Sequence, residues 1–327
     1  MSLTGTIIYH RTRWRNNFYY HELLFSPVCD IIPNMNDLET RVKHKAHELG
    51  LSDIRFADAG RALPHIPENH MVLADLLPGA RSLVVLFMAY KPIKPAPAGQ
   101  MPLSPYYAAS HLSYLAARAL NEYIQSLGYQ SAHLPSLPAK AAALRTGGFL
   151  GDNGFYYHPT LGSLVCIQTL LTDAELAPDA PESTAGCLHC GACASGCPSG
   201  ALEQNGTCLR RHLNALVPEP LRGDVYQLLG CERCQTVCPL NDFEAAEPLS
   251  FPLEMLLDGS AMPELKKLAG PNMARPMRVA SQTALYAAAT GQSQVVPQLK
   301  ELAQSGIEPA ATHAAWALER LTNEVKP

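Results

Sequence analysis

The chain has 327 residues, of which 47% are hydrophobic and 17% are charged, and its formal net charge is −4 at pH 7. This composition is typical of a globular protein and provides no overall basic field, so binding of nucleic acid would need a local basic patch. No run approaches the roughly 18 apolar residues of a membrane helix, so we predict no membrane partner.

The first 34 residues form a leader of doubtful structure. They lack the basic stretch and continuous apolar stretch of a signal peptide, and we expect either an unstructured leader or a tag. Met35 is a candidate start of the fold. Immediately afterwards, apolar residues on one face predict a helix over 38–49, with Asn36 and Glu39 as its capping pair.

Strand and helix patterns then alternate. The patterns predict a strand over 53–58, a short helix over 70–80, a buried strand over 82–90, an amphipathic helix over 111–128 and a strand over 161–172. The proline-rich stretch 91–105 is predicted to be a loop. Residues 35–180 are therefore predicted to form a mixed α/β domain within an α+β protein.

The second half divides into two further predicted units. Residues 181–250 have few apolar runs, so bound metal is expected to organise them. Residues 251–327 are predicted to form a short helical tail of the HEAT type. Its alanine-rich helical patterns occupy 277–291, 295–306 and 309–321.

Eight of the ten cysteines lie between residues 187 and 238. The run CLHCGACASGCP has the bacterial ferredoxin spacing, in which the fourth cysteine ligates the other cluster. The run GCERCQTVCP supplies three more cysteines, and one lies between the runs. Two [4Fe–4S] clusters in a ferredoxin-like domain account for all eight. Cluster one takes Cys187, Cys190, Cys193 and Cys238, and cluster two takes Cys197, Cys208, Cys231 and Cys234.

Zinc and a disulfide framework are the alternatives. Zinc sites usually appear as two separated CxxC pairs, whereas three cysteines in CxxCxxC followed by Cys-Pro favour a cubane cluster. Clustered thiols also indicate a reducing, cytoplasmic compartment. Of the two remaining cysteines, Cys166 lies in an apolar strand and is predicted to be an inert buried thiol, and Cys29 lies in the leader.

Paired clusters alone would describe an electron carrier, but a long α/β domain precedes them and is expected to hold the electron acceptor. Over about 36–325 the chain resembles the epoxyqueuosine reductases, relatives of the corrinoid-dependent reductive dehalogenases. The resemblance is carried by both cysteine runs and by LLPGARSLVVLFMAY, GGFLGDNGFYYHPTLGSLVCIQTLLTDAELAPDAP and HAAWALERL.

The resemblance implies a cobalamin bound base-off beneath the α/β domain and reduced by the nearer cluster. It implies an external donor of the flavodoxin or ferredoxin type, and removal of the epoxide oxygen from epoxyqueuosine in tRNA. It also suggests a set of corrinoid-binding residues. These are Tyr106, His111, Gly148, Gly151, Asn153 and Ser163.

Three positions depart from the family's pattern. The family places an aspartate proton donor upstream of the glycine-rich stretch, but residues 131–148 contain no carboxylate. His133 is the nearest titratable group and a candidate acid, the alternative being a surface histidine. A His-Leu-Ser triplet beginning at His111 replaces the family's Asp-Tyr-His. Gly-Asp-Asn at 151–153 replaces Gly-Lys-Asn, so Asp152 is a second candidate acid, the alternative being a solvated loop aspartate.

The tail is expected to bind tRNA weakly. Arg275, Arg278 and Arg320 carry most of its positive charge after residue 270, and phosphate contacts dominate nucleic-acid affinity. The predicted function is that of a diverged epoxyqueuosine reductase, an iron–sulfur oxidoreductase acting on epoxyqueuosine in tRNA or a related substrate. The alternatives are a ferredoxin-type electron-transfer protein without its own substrate and a corrinoid-reactivating protein.

Overall fold

The computed structural model describes residues 37–61, 73–181, 186–203, 206–241 and 243–323. The predictions for residues 1–34, Cys29, Met35 and Asn36 lie outside the described residues. Within the described residues, no helix combines the length and the apolar character that a membrane crossing requires.

Strands and helices are both short, apart from one long helix. The strands are β1 (Asp53–Asp58), β2 (Ser82–Ala89), β3 (Gln100–Pro102), β4 (Ser131–His133), β5 (Phe149–Leu150), β6 (Tyr156–Tyr157), β7 (Val165–Thr172) and β8 (Ser250–Pro252). The helices of the first 250 residues are α1 (Leu38–Glu48), α2 (Leu73–Leu76), α3 (Pro105–Ser126), α4 (Ala139–Ala143), α5 (Ala192–Ser195), α6 (Leu209–His212) and α7 (Arg233–Thr236).

The helices of the tail are α8 (Leu253–Leu257), α9 (Met262–Ala269), α10 (Pro276–Ala289), α11 (Val296–Gln304) and α12 (Ala310–Asn323). The 3-10 turns are Leu144–Thr146, Glu219–Asp224, Pro239–Asn241 and Ser293–Val295. The three helices predicted after residue 270 are confirmed as α10, α11 and α12. Alanine-rich sequences with interspersed leucines suit this region because small side chains let the helices pack closely.

An antiparallel sheet of order β1-β2-β7-β4 organises the first half of the chain. The prediction of a strand buried on both faces is confirmed for β2. Val84, Leu86 and Met88 pack with α1 and α3 on one face, while Leu83 and Phe87 pack with α4 on the other. The expected α+β composition is therefore confirmed.

Two local predictions were wrong. The cap of α1 is Asp37, whose carboxylate accepts from the Thr40 N–H at 3.4 Å, and Glu39 instead accepts from the Ala177 N–H at 2.6 Å. The proline-rich stretch 91–105 is not entirely loop, because it contains β3, which pairs with β8. Proline is tolerated in such short edge pairings.

One apolar cluster draws on all three predicted units. It joins Met101 and Leu103 of the first unit to Leu228 and Leu229 of the cysteine-bearing unit and to Leu285 of the tail. The backbones of Leu103 and Leu228 also form a parallel bridge. The boundaries at 180 and 250 stay predictions, but this shared core shows that the tail packs directly on the cysteine-bearing segment.

Candidate metal centre

Four of the predicted ligands line one cavity. They are Cys187, Cys190, Cys193 and Cys238. The first three come from the CxxCxxC run and the fourth from the end of the second run, so the cavity contains the four cysteines assigned to cluster one. Asp152, Asn153 and Tyr157 line the same cavity.

Tight turns bring the thiols of each run together. Gly191 has φ +74° and precedes the single turn of α5, which carries Cys193. His189, at φ +50°, also has a left-handed backbone within the first run. Cys238 follows α7 and is succeeded by the 3-10 turn Pro239–Asn241. Such short reversals are what allow a few residues of chain to point several thiols into one space.

Cys234 lies close to the other three cysteines assigned to cluster two and also to Cys193. Burial and the neighbouring Cys231, Cys208, Cys197 and Cys193 together raise the pKa of the Cys234 thiol to about 12. Burial and Cys208 likewise raise the pKa of Cys231 to about 11. Thiols this close cannot all ionise without a compensating cation. Their chemistry therefore fits a thiolate-bound metal cluster, as does that of the four thiols around the cavity.

A tyrosine donates a hydrogen bond to one cavity thiol. Tyr157 Oη donates to Cys238 Sγ at 3.1 Å and accepts from Asn153 Nδ2 at 2.9 Å. Burial and the adjacent Cys238 raise the Tyr157 pKa, so the phenol keeps its proton. Asn153 Nδ2 also donates to the Cys234 carbonyl at 3.2 Å. The β5–β6 hairpin thus contacts both cysteine groups.

The two glycines proposed as corrinoid contacts are explained by Tyr157. A Cβ on Gly148 would collide with the Tyr157 carbonyl oxygen, and one on Gly151 would lie 2.6 Å from the Tyr157 ring. Gly148 also has φ +74°, which favours glycine. Both positions allow the hairpin to close around Tyr157, whose ring stacks on Phe149 at 5.0 Å.

Asp152 lies on the β5–β6 turn at the cavity. Both of its carboxylate oxygens are 3.0 Å from His189 Nδ1 in the first cysteine run. The ligand atoms of Asp152, Cys187 and His189 lie within 4.8 Å of one another. Asp152 therefore provides a polar contact between the hairpin and the first cysteine run.

Ser163 is buried behind the second cysteine run. Its N–H donates to Asn241 Oδ1 at 2.8 Å, and its carbonyl accepts from Gln235 Nε2 at 2.7 Å. Ser163 therefore connects the chain just before β7 to the residues that flank Cys238. Gln235 and Asn241 were not predicted as functional residues from the sequence. Two amide side chains that flank Cys238-Pro239 could have indicated hydrogen bonding around this cysteine.

Tyr106 and His111 lie on α3 and do not line the cavity. The Tyr106 ring packs against the Arg210 guanidinium at 4.1 Å and against Tyr90 at 6.0 Å. His111 faces the end of α9, where a Cβ on Gly270 would lie 3.0 Å from its Nδ1. Both side chains are thus engaged by protein neighbours.

His133 also lies outside the cavity lining. Its Nε2 donates to Gln168 Oε1 at 3.0 Å, and Gln168 Nε2 donates to Ser113 Oγ at 3.2 Å. Burial lowers the His133 pKa, which favours the neutral imidazole. Of the two candidate acids, the structure brings only Asp152 to the cysteines.

A fully buried carboxylate was also missed. Glu232 accepts from Ser104 Oγ at 2.5 Å and from Gln227 Nε2 at 3.0 Å, and burial raises its pKa. It sits between Cys231 and Cys234 and ties that loop to the start of α3. A charged residue between two cysteines of a CxxC pair is normally predicted to be exposed. The local sequence therefore did not indicate that Glu232 is buried and bonded to Ser104 and Gln227.

The lining of this cavity, four cysteines from two runs, fits a metal cluster. The six residues expected to contact a corrinoid are divided between the hairpin, the chain before β7 and α3.

These features define an α+β protein in which four cysteines from two separate runs line one cavity. Its relatives are epoxyqueuosine reductases. The protein of that name from Synechococcus sp. (strain RCC307) is 30% identical over 210 residues, which are 57% of this chain and 63% of that protein. The chain spans about half to two thirds of the length of the first curated relatives it matches. No protein-family model matches the chain.

Solved structures agree with the sequence comparison. The epoxyqueuosine reductase from Streptococcus thermophilus superposes with a TM-score of 0.72 at 21% identity, covering 89% of this chain and 91% of that one. A crystal structure of epoxyqueuosine reductase with an epoxyqueuosine-modified tRNA-Tyr stem loop gives 0.69 at 23% identity, covering 88% and 91%. The expected resemblance is confirmed in sequence and in fold.

Proposed function

We propose that this chain is an iron–sulfur reductase of the epoxyqueuosine reductase family with two [4Fe–4S] clusters. The observation that carries the proposal is the meeting of Cys238 with the CxxCxxC run around one cavity. That meeting is what the crossover ligation of paired clusters requires. Cluster one is held by Cys187, Cys190, Cys193 and Cys238, and cluster two by Cys197, Cys208, Cys231 and Cys234.

The protein's own residues adjust cluster one. The Tyr157 hydroxyl donates to the Cys238 sulfur, and this hydrogen bond favours the more negative, reduced cluster. Asn153 orients the phenol by donating to its oxygen. Each group also has one exposed cysteine, Cys190 in the first and Cys208 in the second, where electrons can enter or leave. A flavodoxin- or ferredoxin-like protein is the proposed donor.

The proposed substrate is epoxyqueuosine in tRNA or a related epoxide. Support comes from the names of the relatives and from the tRNA stem loop bound to one of them. Asp152 is the better-placed candidate acid, because it borders the cavity lined by the cluster-one cysteines, whereas His133 lies outside that lining. Arg278 of the tail is 91% buried, which leaves Arg275 and Arg320 as its exposed arginines after residue 270. We therefore expect weak, salt-sensitive tRNA binding.

Cobalamin is the proposed electron acceptor, on the family resemblance alone. Tyr106 and His111, two of the expected corrinoid contacts, lie instead against Arg210 and Gly270, which favours a second candidate function, electron transfer without a substrate of its own. A corrinoid-reactivating role is a third. All three functions share the two clusters and differ in what receives the electrons.

Anaerobic reconstitution followed by titration with cob(II)alamin separates the candidates. A shift to the base-off spectrum at stoichiometric corrinoid, followed by turnover of epoxyqueuosine in tRNA with a flavodoxin-type reductant, is the expected result. Corrinoid uptake without turnover would favour the reactivating role. If both clusters are present and reducible but the protein neither binds corrinoid nor turns over substrate, the remaining candidate function is electron transfer without a substrate. The Cys166→Ala variant is the matched control, because this buried thiol belongs to neither group of four.

Replacing Tyr157 by phenylalanine is expected to lower the reduction potential of cluster one. The change deletes the hydroxyl that donates to Cys238 Sγ and leaves the stacked ring in place. A hydrogen bond worth about 1 kcal/mol corresponds to roughly 40 mV for one electron. An EPR-monitored redox titration measures both clusters in one sample, so cluster two is the internal reference. Equal potentials in the variant and the parent would remove Tyr157 from this role.

A further inference from the structure

A glutamine of the helical tail bonds to two of the segments that carry cluster-two cysteines. Gln282 lies on α10 and is 1% exposed. Its Oε1 accepts from the Leu229 N–H at 2.6 Å, two residues before Cys231. Its Nε2 donates to the Leu213 carbonyl at 2.8 Å, just after the α6 turn that follows Cys208. One side-chain amide therefore joins two chain segments that are separate in sequence.

The Leu229 backbone needs such support. Its φ is +74°, a left-handed conformation that a leucine rarely adopts, and its side chain is fully buried. Arg278, one turn before Gln282 on α10, donates through Nη2 to the Leu229 carbonyl at 3.4 Å. Both polar groups of this peptide residue are therefore held by the same helix face. The adjacent Gly230 lies against Ser104, where a Cβ would be 2.5 Å from the hydroxyl oxygen.

We propose that Gln282 is a positioning residue for cluster two and that α10 is part of the structure that holds this cluster in place. The inference rests on the proposed function, since it presumes that Cys197, Cys208, Cys231 and Cys234 bind a cluster. By fixing the segments around Cys208 and Cys231 relative to each other, the amide preorganises two of the four thiols. The helical tail then supports electron transfer by positioning the ligands of cluster two, independently of any contribution to substrate binding.

The test compares Gln282→Met with Thr283→Val in the full-length, anaerobically reconstituted protein. Methionine has a similar volume and removes both hydrogen bonds. Thr283 is its buried neighbour on α10, and its hydroxyl donates within the helix, to the Val279 carbonyl at 2.8 Å. Gln282→Met is expected to lose cluster two to an iron chelator about tenfold faster than the parent, the effect of one or two lost hydrogen bonds. It is also expected to shift the cluster-two midpoint potential while cluster one stays unchanged.

Thr283→Val is expected to behave like the parent. Equal chelation rates and equal cluster-two potentials in the parent and Gln282→Met would overturn the inference. A parent protein that binds no second cluster would instead contradict the proposed function, so the two failures are distinguishable.

A reciprocal measurement covers the case in which Gln282→Met does not fold. If α10 holds the cluster-two segments, loss of that cluster must loosen α10, because coupling between two sites is mutual. Hydrogen exchange of Pro276–Ala289 is therefore expected to quicken in Cys208→Ala and not in Cys190→Ala, which removes cluster one. Equal protection of this helix in the two variants would overturn the inference.

Discussion

Replacing Cys238 by alanine is expected to remove the same cluster as replacing Cys190, although Cys238 belongs to the second cysteine run. Both side chains line the cluster-one cavity. Conversely, Cys197→Ala is expected to reproduce the spectrum of Cys208→Ala, because the proposed crossover ligation assigns both cysteines to cluster two. Each variant should retain about four of about eight iron atoms, since a [4Fe–4S] cluster missing one of four thiolates is poorly held.

EPR and Mössbauer spectra of the reduced variants provide the measurement. If each run instead ligated its own cluster, Cys238→Ala would match Cys231→Ala, and Cys197→Ala would match Cys190→Ala. That pattern would contradict the crossover. Cys166→Ala should keep both clusters, because burial raises the pKa of this thiol and keeps it protonated on β7.

Lowering the pH from 7 to 4 is expected to cost the tail roughly 2–3 kcal/mol through His313 alone. This side chain is fully buried on α12. Its Nε2 accepts from the Val217 N–H at 3.0 Å, and its Nδ1 donates to Ser281 Oγ at 2.6 Å, an arrangement that requires a neutral ring. Burial and the nearby Arg222 lower the His313 pKa to about 4.

The direction follows from proton uptake. In the unfolded chain His313 becomes protonated as the pH falls below about 6.5. In the folded chain it stays neutral until the pH approaches 4. Stability is therefore complete above about pH 6.5 and falls as the pH drops toward 4. Hydrogen exchange of α10 and α12, corrected for intrinsic rates, measures this loss.

Two variants isolate the histidine. His313→Gln should flatten the pH dependence between 4 and 6.5, because the titrating ring is gone. Ser281→Ala should lower stability at every pH but keep the slope, since it removes the hydrogen-bond partner and leaves the ring. An unchanged slope in His313→Gln would assign the pH dependence to other groups.

Sequence reasoning succeeded where the signal was local. The alanine-rich patterns after residue 270 predicted α10, α11 and α12, because about a dozen consecutive residues are enough to show the periodicity of a helix. The apolar run 82–90 predicted β2 for the same reason. The grouping of Cys238 with the first run was also predictable, since in the ferredoxin spacing the cysteine before the proline ligates the neighbouring cluster.

The failures involve contacts between distant parts of the chain. The pairing of β3 with β8 joins Gln100 to Pro252, and nothing within 91–105 signals a partner so far away. Gln282 reads as one polar residue in an amphipathic helix, although both of its amide atoms bond to the cysteine-bearing segments. His133 and Asp152 were both candidate acids from the sequence, and no local pattern could indicate that Asp152, on the β5–β6 turn, lines the cavity while His133 does not.

The central claim is that eight cysteines hold two [4Fe–4S] clusters, and metal and sulfide analysis of the anaerobically reconstituted wild-type chain tests it most directly. About eight iron atoms and about eight acid-labile sulfides per chain are expected. Mössbauer spectra should show cubane clusters, and the reduced EPR spectrum should show two interacting spins. About two zinc ions without sulfide, or cysteines that pair as disulfides, would contradict the account.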